Sequence, residues 1–213
     1  MTPDDAMGDF LTQLSPPHDS IQQEMAEFAD QAGFPIIGRQ AGGVLKLLAQ
    51  SRNARSLFEF GSGFGYSAYW FWLGMADNAE LVLTEVDPDE LEFATELFTK
   101  AGIAEQTHFE VGDAQEIVNR YAGPFDLVLI DHQKSQYPDA FDAIREKVAE
   151  GGILIADNIL REPVIAAYTA TDSPSLDTST HGLVTYLELV RTDPAFSTVV
   201  VPVGNGITVS MKT

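Results

Sequence analysis

Short apolar segments alternate with helical segments throughout residues 56–156 of this chain. The apolar segments are Ser56–Phe60, Leu81–Glu85, Thr107–Val111, Phe125–Ile130 and Ile153–Ala156. Strands that alternate with helices predict βαβ units, in which parallel strands form one sheet and the connecting helices cover its faces. We therefore predict an α/β fold built on a mostly parallel sheet.

The first fifty residues predict helices without strands. Residues 20–31 and 38–50 have apolar side chains at three- and four-residue spacing, which is typical of amphipathic helices. A chain of 213 residues is long enough to bury a sizeable core and short for two full domains. We predict one domain over residues 1–213, with a helical cap at 1–50 and an α/β core at 51–213.

The last residues of the chain predict an antiparallel hairpin. Thr198–Val203 and Ile207–Met211 are apolar and β-branched, and Asn205-Gly206 lies between them. Asn-Gly is the strongest short signal for a hairpin turn, so these two strands should close one edge of the sheet. The polar stretch Thr171–Thr180, rich in Ser, Thr, Asp and Pro, predicts a mobile loop.

The net charge of the chain argues against certain classes of binding partner. There are 32 acidic and 12 basic residues, which give a formal charge of -20 at pH 7. Such a surface repels nucleic acid and anionic membranes, and no run of five basic residues offsets it. The acidic excess fits an ordinary acidic soluble protein or a halophilic one, because strong salt screening weakens self-repulsion. We expect neither a nucleic acid nor a membrane as a partner.

Features that the sequence lacks bear on where in the cell the protein is located. The chain has no cysteine, which excludes disulfides and thiolate metal ligands. Its first residues lack the basic and apolar regions of a signal peptide, and no apolar stretch approaches the ~18 residues of a membrane span. These features predict a cytoplasmic location.

Two acidic segments stand directly after predicted buried strands. Asp131 follows Phe125–Ile130, and Asp157-Asn158 follows Ile153–Ala156. Because the carboxyl ends of parallel strands meet at one edge of a sheet, where open α/β sheets bind ligands, we expect these groups to lie close together. Carboxylate and amide oxygens suit Mg²⁺ or Ca²⁺ rather than zinc. The sequence thus predicts a metal site, although Asp157-Asn158 alone could instead cap a helix.

A glycine-rich turn, Gly61-Ser62-Gly63-Phe64-Gly65, follows the first strand and opens a helix. Glycines allow a tight turn and the close approach of a ligand to the backbone. The next strand ends at Glu85, where a carboxylate can accept hydrogen bonds from both ribose hydroxyls of a nucleoside. The third strand is followed by Asp113-Ala114-Gln115, whose polar groups could meet an adenine edge. Together these strand ends predict a cofactor that contains a nucleoside.

Two alternatives come from other functional classes. The turn reads G-x-G-x-G, whereas the dinucleotide fingerprint G-x-G-x-x-G has one more residue between its last glycines. A nucleotide-binding oxidoreductase is therefore the weaker interpretation, and it gives Asp157-Asn158 no role. A non-catalytic interaction module is the second alternative, because a fold alone does not imply an activity.

The chain resembles the cation-dependent class I S-adenosylmethionine (SAM) O-methyltransferases, the family that includes catechol and caffeoyl-coenzyme A O-methyltransferases. The resemblance runs from about Pro35 to the C-terminus and rests on these segments: Glu59 to Ser67, Glu85 to Pro88, Asp131 to Lys134 with Tyr137, Asp157-Asn158, and Asn205-Gly206. It implies a Rossmann-like methyltransferase fold. Such a fold has a seven-stranded, mostly parallel sheet with a C-terminal antiparallel hairpin and helices on both faces.

The resemblance also implies which residues form the site. The amino-acid end of SAM would lie at Glu59, Gly61, Gly63 and Ser67, its ribose at Glu85, and its adenine at Ala114, Gln115 and His132, while Ile37, Val86, Asp113 and Asp131 complete the cofactor site. A metal ion, Mg²⁺ or alternatively Ca²⁺ or Mn²⁺, would be bound by Asp131, Asp157 and Asn158. Lys134 matches the lysine that serves as general base.

The implied activity is SAM-dependent methylation of a hydroxyl on a small vicinal-diol or phenolic acceptor. Gln133 replaces the tryptophan of the catechol enzyme, and Val199 falls about where that enzyme has a glutamate near the second hydroxyl. These departures separate the chain from the catechol enzyme. A methyltransferase acting on RNA is a variant that the charge opposes. The N-terminal helices and the C-terminal hairpin could supply the surface of a homodimer.

Overall fold

The computed structural model describes residues 3–169 and 176–213. Its strands are β1 (Ser56–Phe60), β2 (Glu80–Glu85), β3 (Thr107–Val111), β4 (Phe125–Ile130), β5 (Val148–Ala156), β6 (Phe196–Val201) and β7 (Ile207–Lys212). They form one sheet in the order β3-β2-β1-β4-β5-β7-β6. Neighbours among β1 to β5 pair in parallel, and β7 pairs antiparallel with both β5 and β6. The predicted seven-stranded α/β fold with a C-terminal hairpin is confirmed.

Helices cover both faces of this sheet. They are α1 (Pro3–Leu14), α2 (Ser20–Ala32), α3 (Gly38–Arg52), α4 (Tyr66–Trp72), α5 (Pro88–Lys100), α6 (Ala114–Ile117), α7 (Tyr137–Ile144), α8 (Glu162–Thr169) and α9 (Thr178–Thr192). Apolar side chains of α2 to α5 pack on one face, and those of α6 to α9 pack on the other. Within residues 3–169 and 176–213, no helix is both long and apolar enough to cross a membrane.

The predicted loop Thr171–Thr180 differs from the structure at its end. Helix α9 begins at Thr178, because the side chain of Asp177 accepts a hydrogen bond from the backbone nitrogen of Thr180 at 2.9 Å. Such a cap satisfies an amide that has no partner within the helix. Residues 171–175 lie outside the described residues.

The hairpin is confirmed, with a shifted first strand. Strand β6 ends at Val201 rather than Val203, because Pro202 has no backbone hydrogen to donate to the ladder. Val201 pairs with Ile207, which leaves a five-residue loop at 202–206. The left-handed positions of this loop are Gly204 and Gly206, with φ of 55° and 78°. The turn is therefore longer than the two-residue turn that Asn-Gly favours.

The sheet brings the predicted acidic groups to one edge. Phe60 pairs with Ile130, and Ile130 pairs with Ala156, so the carboxyl ends of β1, β4 and β5 are in register. The backbone nitrogen of Asp131 donates to Phe60 O at 2.9 Å, and that of Asp157 donates to Ile130 O at 3.2 Å. These bonds extend the ladder beyond each strand end. Asp131 and Asp157 thus follow neighbouring strands at the same edge.

Candidate active site

A cavity of about 460 Å³ opens at this edge of the sheet. Its wall contains all the predicted site residues except Glu59 and Gln115, namely Ile37, Gly61, Gly63, Ser67, Glu85, Val86, Asp113, Ala114, Asp131, His132, Lys134, Asp157 and Asn158. Cavities of a few hundred cubic ångströms are typical of small-molecule sites. The predicted cofactor, metal and base residues therefore share one cavity.

The glycine turn forms the floor of this cavity and contacts the segment after β4. The backbone nitrogens of Gly61 and Ser62 both donate to Thr84 O, at 3.1 and 2.9 Å. Gly61 has a φ of +77°, and a Cβ placed on it would lie 2.7 Å from Cα of His132. Only glycine combines that φ with so close an approach. The turn and the segment that begins at Asp131 are consequently packed backbone to backbone.

Glu85 is held in place by backbone amides. Its Oε2 accepts a hydrogen bond from the nitrogen of Gly63 at 3.0 Å, and its Oε1 accepts one from the nitrogen of Val86 at 2.7 Å. A carboxylate fixed in this way keeps free lone pairs on both oxygens. It can accept hydrogen bonds from a diol such as a ribose.

Glu59 lies behind the cavity wall instead of in it. Its side chain is fully buried, and Ser67 Oγ donates a hydrogen bond to Glu59 Oε1. The pKa of Glu59 is raised to about 8, chiefly by burial and also by the charges of Asp131 and Glu85, while the hydrogen bond from Ser67 opposes the rise. Glu59 Oε2 finds no hydrogen-bond donor in the described part of the chain. An ammonium group bound near Ser67 would favour the ionised carboxylate.

His132 occupies the predicted adenine region, and Gln115 supports it from outside the cavity. The ring of His132 stacks on Tyr137 with centroids 5.6 Å apart and planes at 13°. Burial, and then the positive charge of Lys134, lower the pKa of His132 to about 4, so the ring is neutral at pH 7. Gln115 Nε2 lies 3.4 Å from His132 Nε2. The structure thus places Gln115 beside the histidine and not in the cavity wall.

Burial destabilises the negative charges of both Asp131 and Asp157, and the charge of Asp131 further destabilises that of Asp157. Burial and then the charge of Asp131 raise the pKa of Asp157 to about 7. Burial also raises the pKa of Asp131, although Lys134 opposes that rise. Asp157 Oδ1 is buried and finds no hydrogen-bond donor within residues 3–169 and 176–213, while Asp157 Oδ2 accepts one from Asn158 Nδ2 at 3.1 Å. A buried carboxylate with a free oxygen beside a half-buried one is an arrangement that a cation stabilises.

The donor set fits a hard divalent cation. No three His, Cys, Asp or Glu side chains in the described ranges gather into a metal cluster. The predicted set has two carboxylates, and its third donor is the amide of Asn158, whose backbone takes a left-handed φ of 65°. Magnesium is commonly bound through one or two carboxylates, with further oxygens from water and substrate. Asp131, Asp157 and Asn158 could hold such an ion.

Lys134 contacts the predicted metal site through Asp131. Its Nζ lies 2.6 Å from Asp131 Oδ1 and 5.1 Å from the centroid of the Tyr137 ring. The side chain of Lys134 is 17% exposed, so it is oriented into the cavity instead of extending into solvent. A proton acceptor or donor at this place is within reach of a molecule bound beside Asp131.

The structure adds cavity residues that the sequence did not predict. Phe34, Ile36, Tyr66 and Asn205 line the cavity. Phe34 belongs to a segment interpreted only as a break between helices, and Asn205 to one interpreted only as a turn. Tyr66 stands next to Ser67 in the glycine motif, which is the one local signal that could have identified it. The others reach the cavity through contacts between distant parts of the chain.

Val199 lies away from the cavity. This residue lies on the edge strand β6 with 57% of its surface exposed, and it is absent from the cavity wall. Asn205, in the loop after β6, is the hairpin residue that lines the cavity.

Comparison with known proteins agrees with this arrangement. A family model described as O-methyltransferase matches residues 15–213. A catechol O-methyltransferase of Niastella koreensis is 31% identical over 148 residues, which cover 67% of this chain and 67% of that protein. A solved O-methyltransferase of Streptomyces achromogenes, involved in tomaymycin synthesis and in complex with SAM, superposes with a TM-score of 0.88 at 24% identity and covers 100% of both chains. An O-methyltransferase of Bacillus cereus in complex with S-adenosylhomocysteine (SAH) gives 0.85 at 23% identity, over 98% and 97% of the two chains.

Proposed function

The chain belongs to the O-methyltransferase family, and we propose that it transfers a methyl group from SAM to a hydroxyl of a small phenolic or vicinal-diol acceptor with the help of a divalent cation. One observation carries this proposal. The glycine turn and Glu85 share a cavity with Asp131, Asp157, Asn158 and Lys134. A nucleoside cofactor and a metal-bound acceptor would therefore meet in one place.

The cofactor half of the proposal uses the residues on the β1 and β2 side of the cavity. Glu85 would accept the ribose hydroxyls, since backbone amides already fix its carboxylate. Ser67, with Glu59 behind it, would face the charged amino-acid end of SAM. The SAM and SAH complexes of the solved relatives support this choice of cofactor.

The acceptor half uses the residues at the ends of β4 and β5. Asp131, Asp157 and Asn158 would hold Mg²⁺, or alternatively Ca²⁺ or Mn²⁺. When bound, such an ion lowers the pKa of a coordinated hydroxyl and orients it. The catechol activity in the name of the Niastella koreensis relative supports an acceptor with two adjacent oxygens.

Methyl transfer from a sulfonium is an in-line displacement, so most of the acceleration should come from positioning and electrostatics. The acceptor oxygen attacks the methyl carbon from about 3 Å, the carbon–sulfur bond breaks, and its electrons remain on the sulfur of SAH. The hydroxyl proton passes to Nζ of Lys134, which can accept it only in its neutral amine form. Neutral His132 and the buried face of Tyr137 exclude water on that side.

The other expectations on partners and location stay predictions. The charge of -20 continues to argue against nucleic acid as a substrate. A homodimer is consistent with apolar side chains exposed on α1 and β6, among them Phe10 and Val199. The cytoplasmic location, the division into cap and core, and the halophilic origin also stay predictions.

Two experiments on the wild-type protein test the proposed function. Calorimetric titration should detect binding of SAM and of SAH and no response to NAD; binding of NAD without SAM would contradict the cofactor assignment. Labelled SAM with Mg²⁺ and a panel of catechols, flavonoids and phenolic coenzyme A esters should then identify an acceptor. Labelling of RNA and of none of these acceptors would contradict the substrate class.

A further inference from the structure

Helix α9 packs directly against the backbone that carries Lys134. Gly182 is buried in the first half of this helix, and a Cβ placed on it would lie 2.3 Å from Lys134 O and 2.6 Å from Ser135 Cα. Contacts below 3.0 Å are essentially never made by real Cβ atoms, and both neighbours are backbone atoms that cannot rotate away. The helix can approach this closely only because residue 182 has no side chain.

Glycine inside a helix is unfavourable by roughly 1 kcal/mol relative to alanine, so its presence there calls for a local reason. The contact with Lys134 supplies that reason. The carbonyl of Lys134 also accepts a hydrogen bond from the backbone nitrogen of Tyr137, which starts α7. A displacement of this carbonyl would therefore disturb both Lys134 and Tyr137.

One turn further along α9, Tyr186 continues the same contact. Its ring meets the ring of Tyr137 edge to face at 5.7 Å, and both residues are fully buried. Tyr137 in turn donates a hydrogen bond to Asp157 O at 3.2 Å. The backbone of Lys134 and the end of β5 are thus both supported from α9.

We propose that Gly182 is a positioning residue for methyl transfer: because it lets α9 pack against the Lys134–Ser135 backbone, it fixes where Nζ of Lys134 lies relative to Asp131 and the acceptor hydroxyl. This inference rests on the proposed function, because it takes Lys134 as the base. Helix α9, which does not line the cavity, would thus help to position the base for the reaction.

The test is Gly182→Ala, with Gly8→Ala as the matched control. Gly8 is also helical, and a Cβ placed on it would meet nothing within 4 Å. In Gly182→Ala the carbonyl of Lys134 and helix α9 must separate by about 1 Å, and a displacement of that size can lower a catalysed rate by about 100-fold. We therefore expect kcat at pH 7 to fall by about 10- to 100-fold. The KM for SAM should stay within about twofold of the wild-type value. Gly8→Ala should retain wild-type values.

The pH profile separates a positional effect from general damage. A phenolic hydroxyl ionises unaided near pH 10, so the loss in Gly182→Ala should shrink as the pH approaches that value. Wild-type kcat in a folded Gly182→Ala variant would overturn the proposal, as would an equal loss at every pH. Absence of methyl transfer in the wild-type protein would instead count against the proposed function.

A second measurement uses the wild-type protein and does not depend on activity or on how the variant folds. Native-state hydrogen exchange in increasing denaturant resolves segments that open together. The amide of Tyr137, which donates to Lys134 O, should open with the same free energy and denaturant dependence as the amides of α9. Continued protection of the Tyr137 amide after α9 has opened would overturn the proposal.

Discussion

Lys134 Nζ lies 2.6 Å from Asp131 Oδ1, so the expected base is ion-paired with an expected metal ligand. The two side chains are 17% and 25% exposed, which places the pair partly out of water, where charges interact more strongly. A hydroxyl bound to a cation at Asp131 would lie next to Lys134. Acid–base chemistry and metal chemistry are thus expected to act on the same oxygen.

Removal of the base should have an effect that depends on pH. In Lys134→Ala we expect turnover at pH 7 to fall by about 100-fold or more, because general base catalysis contributes on that order. Near pH 10 the acceptor hydroxyl ionises without help, and the deficit should become small. The measurement is kcat against pH, with Lys46→Ala as a control because Lys46 is absent from the cavity wall. An equal deficit across the pH range would exclude the base role.

Loss of Asp157 should remove cation binding and leave cofactor binding intact. Its raised pKa shows that the ionised side chain is unfavourable without a cation, so Asp157→Ala should fold at least as well as the wild type. Calorimetric titration of Mg²⁺ into the SAH complex should give no binding to this variant, and its affinity for SAM should change less than about threefold. The exposed Asp142 provides the control, Asp142→Ala, which should bind both normally. Unchanged Mg²⁺ affinity in Asp157→Ala would remove this residue from the metal site.

Glu59 should make the protein without cofactor less stable as the pH rises. Its pKa is about 8 in the folded state, against an ordinary value of 4.5 for a glutamate side chain, so the protonated form is the one that the fold favours. The stabilisation is complete below about pH 4.5 and is lost as the pH rises to about 8, with a total on the order of 5 kcal/mol. In Glu59→Gln, Tm measured from pH 5 to pH 8 should therefore decline less than in the wild type. Parallel Tm curves for the two proteins would contradict the assignment.

The glycine turn should tolerate no side chain at Gly61. Gly61→Ala combines a positive φ with a contact of 2.7 Å to the His132 backbone. Gly102→Ala has nearly the same φ, +76°, with nothing within 4 Å, so it isolates the backbone strain of about 1–2 kcal/mol. We expect Gly61→Ala to lose more stability in denaturant titrations and to weaken SAM binding at least tenfold, while Gly102→Ala leaves SAM affinity unchanged. Equal losses of stability and of SAM affinity in the two variants would mean that the contact with His132 contributes to neither.

Much of the sheet follows from local pattern. Strands β1, β3 and β4 begin and end where their apolar segments predict, because polar residues, glycine or proline bound each segment. Strand β5 begins at Val148 instead of Ile153, because Val148 already pairs with Phe125; the register then shifts across the glycines before Ile153 pairs with Leu127. Strand β6 ends early because Pro202 cannot donate to the ladder.

The parts of the site that lie at the ends of strands could be predicted from the sequence. Asp131 and Asp157 could be brought together from sequence because neighbouring parallel strands end at one edge of the sheet. Phe34 and Asn205 could not be identified, because their positions depend on how the N-terminal segment and the hairpin loop pack around the glycine turn. The contact of Gly182 with Lys134 likewise joins elements far apart in sequence, and no local spacing indicates it.

Methyl transfer in the presence and absence of a divalent cation tests the central claim most directly. Labelled SAM and a vicinal-diol phenol should give methylated product with Mg²⁺, little or none after treatment with EDTA, and full activity again when Mg²⁺ is restored. This result is expected because Asp131, Asp157 and Asn158 have the donors of a hard-cation site beside Lys134. Full activity in EDTA would contradict the account.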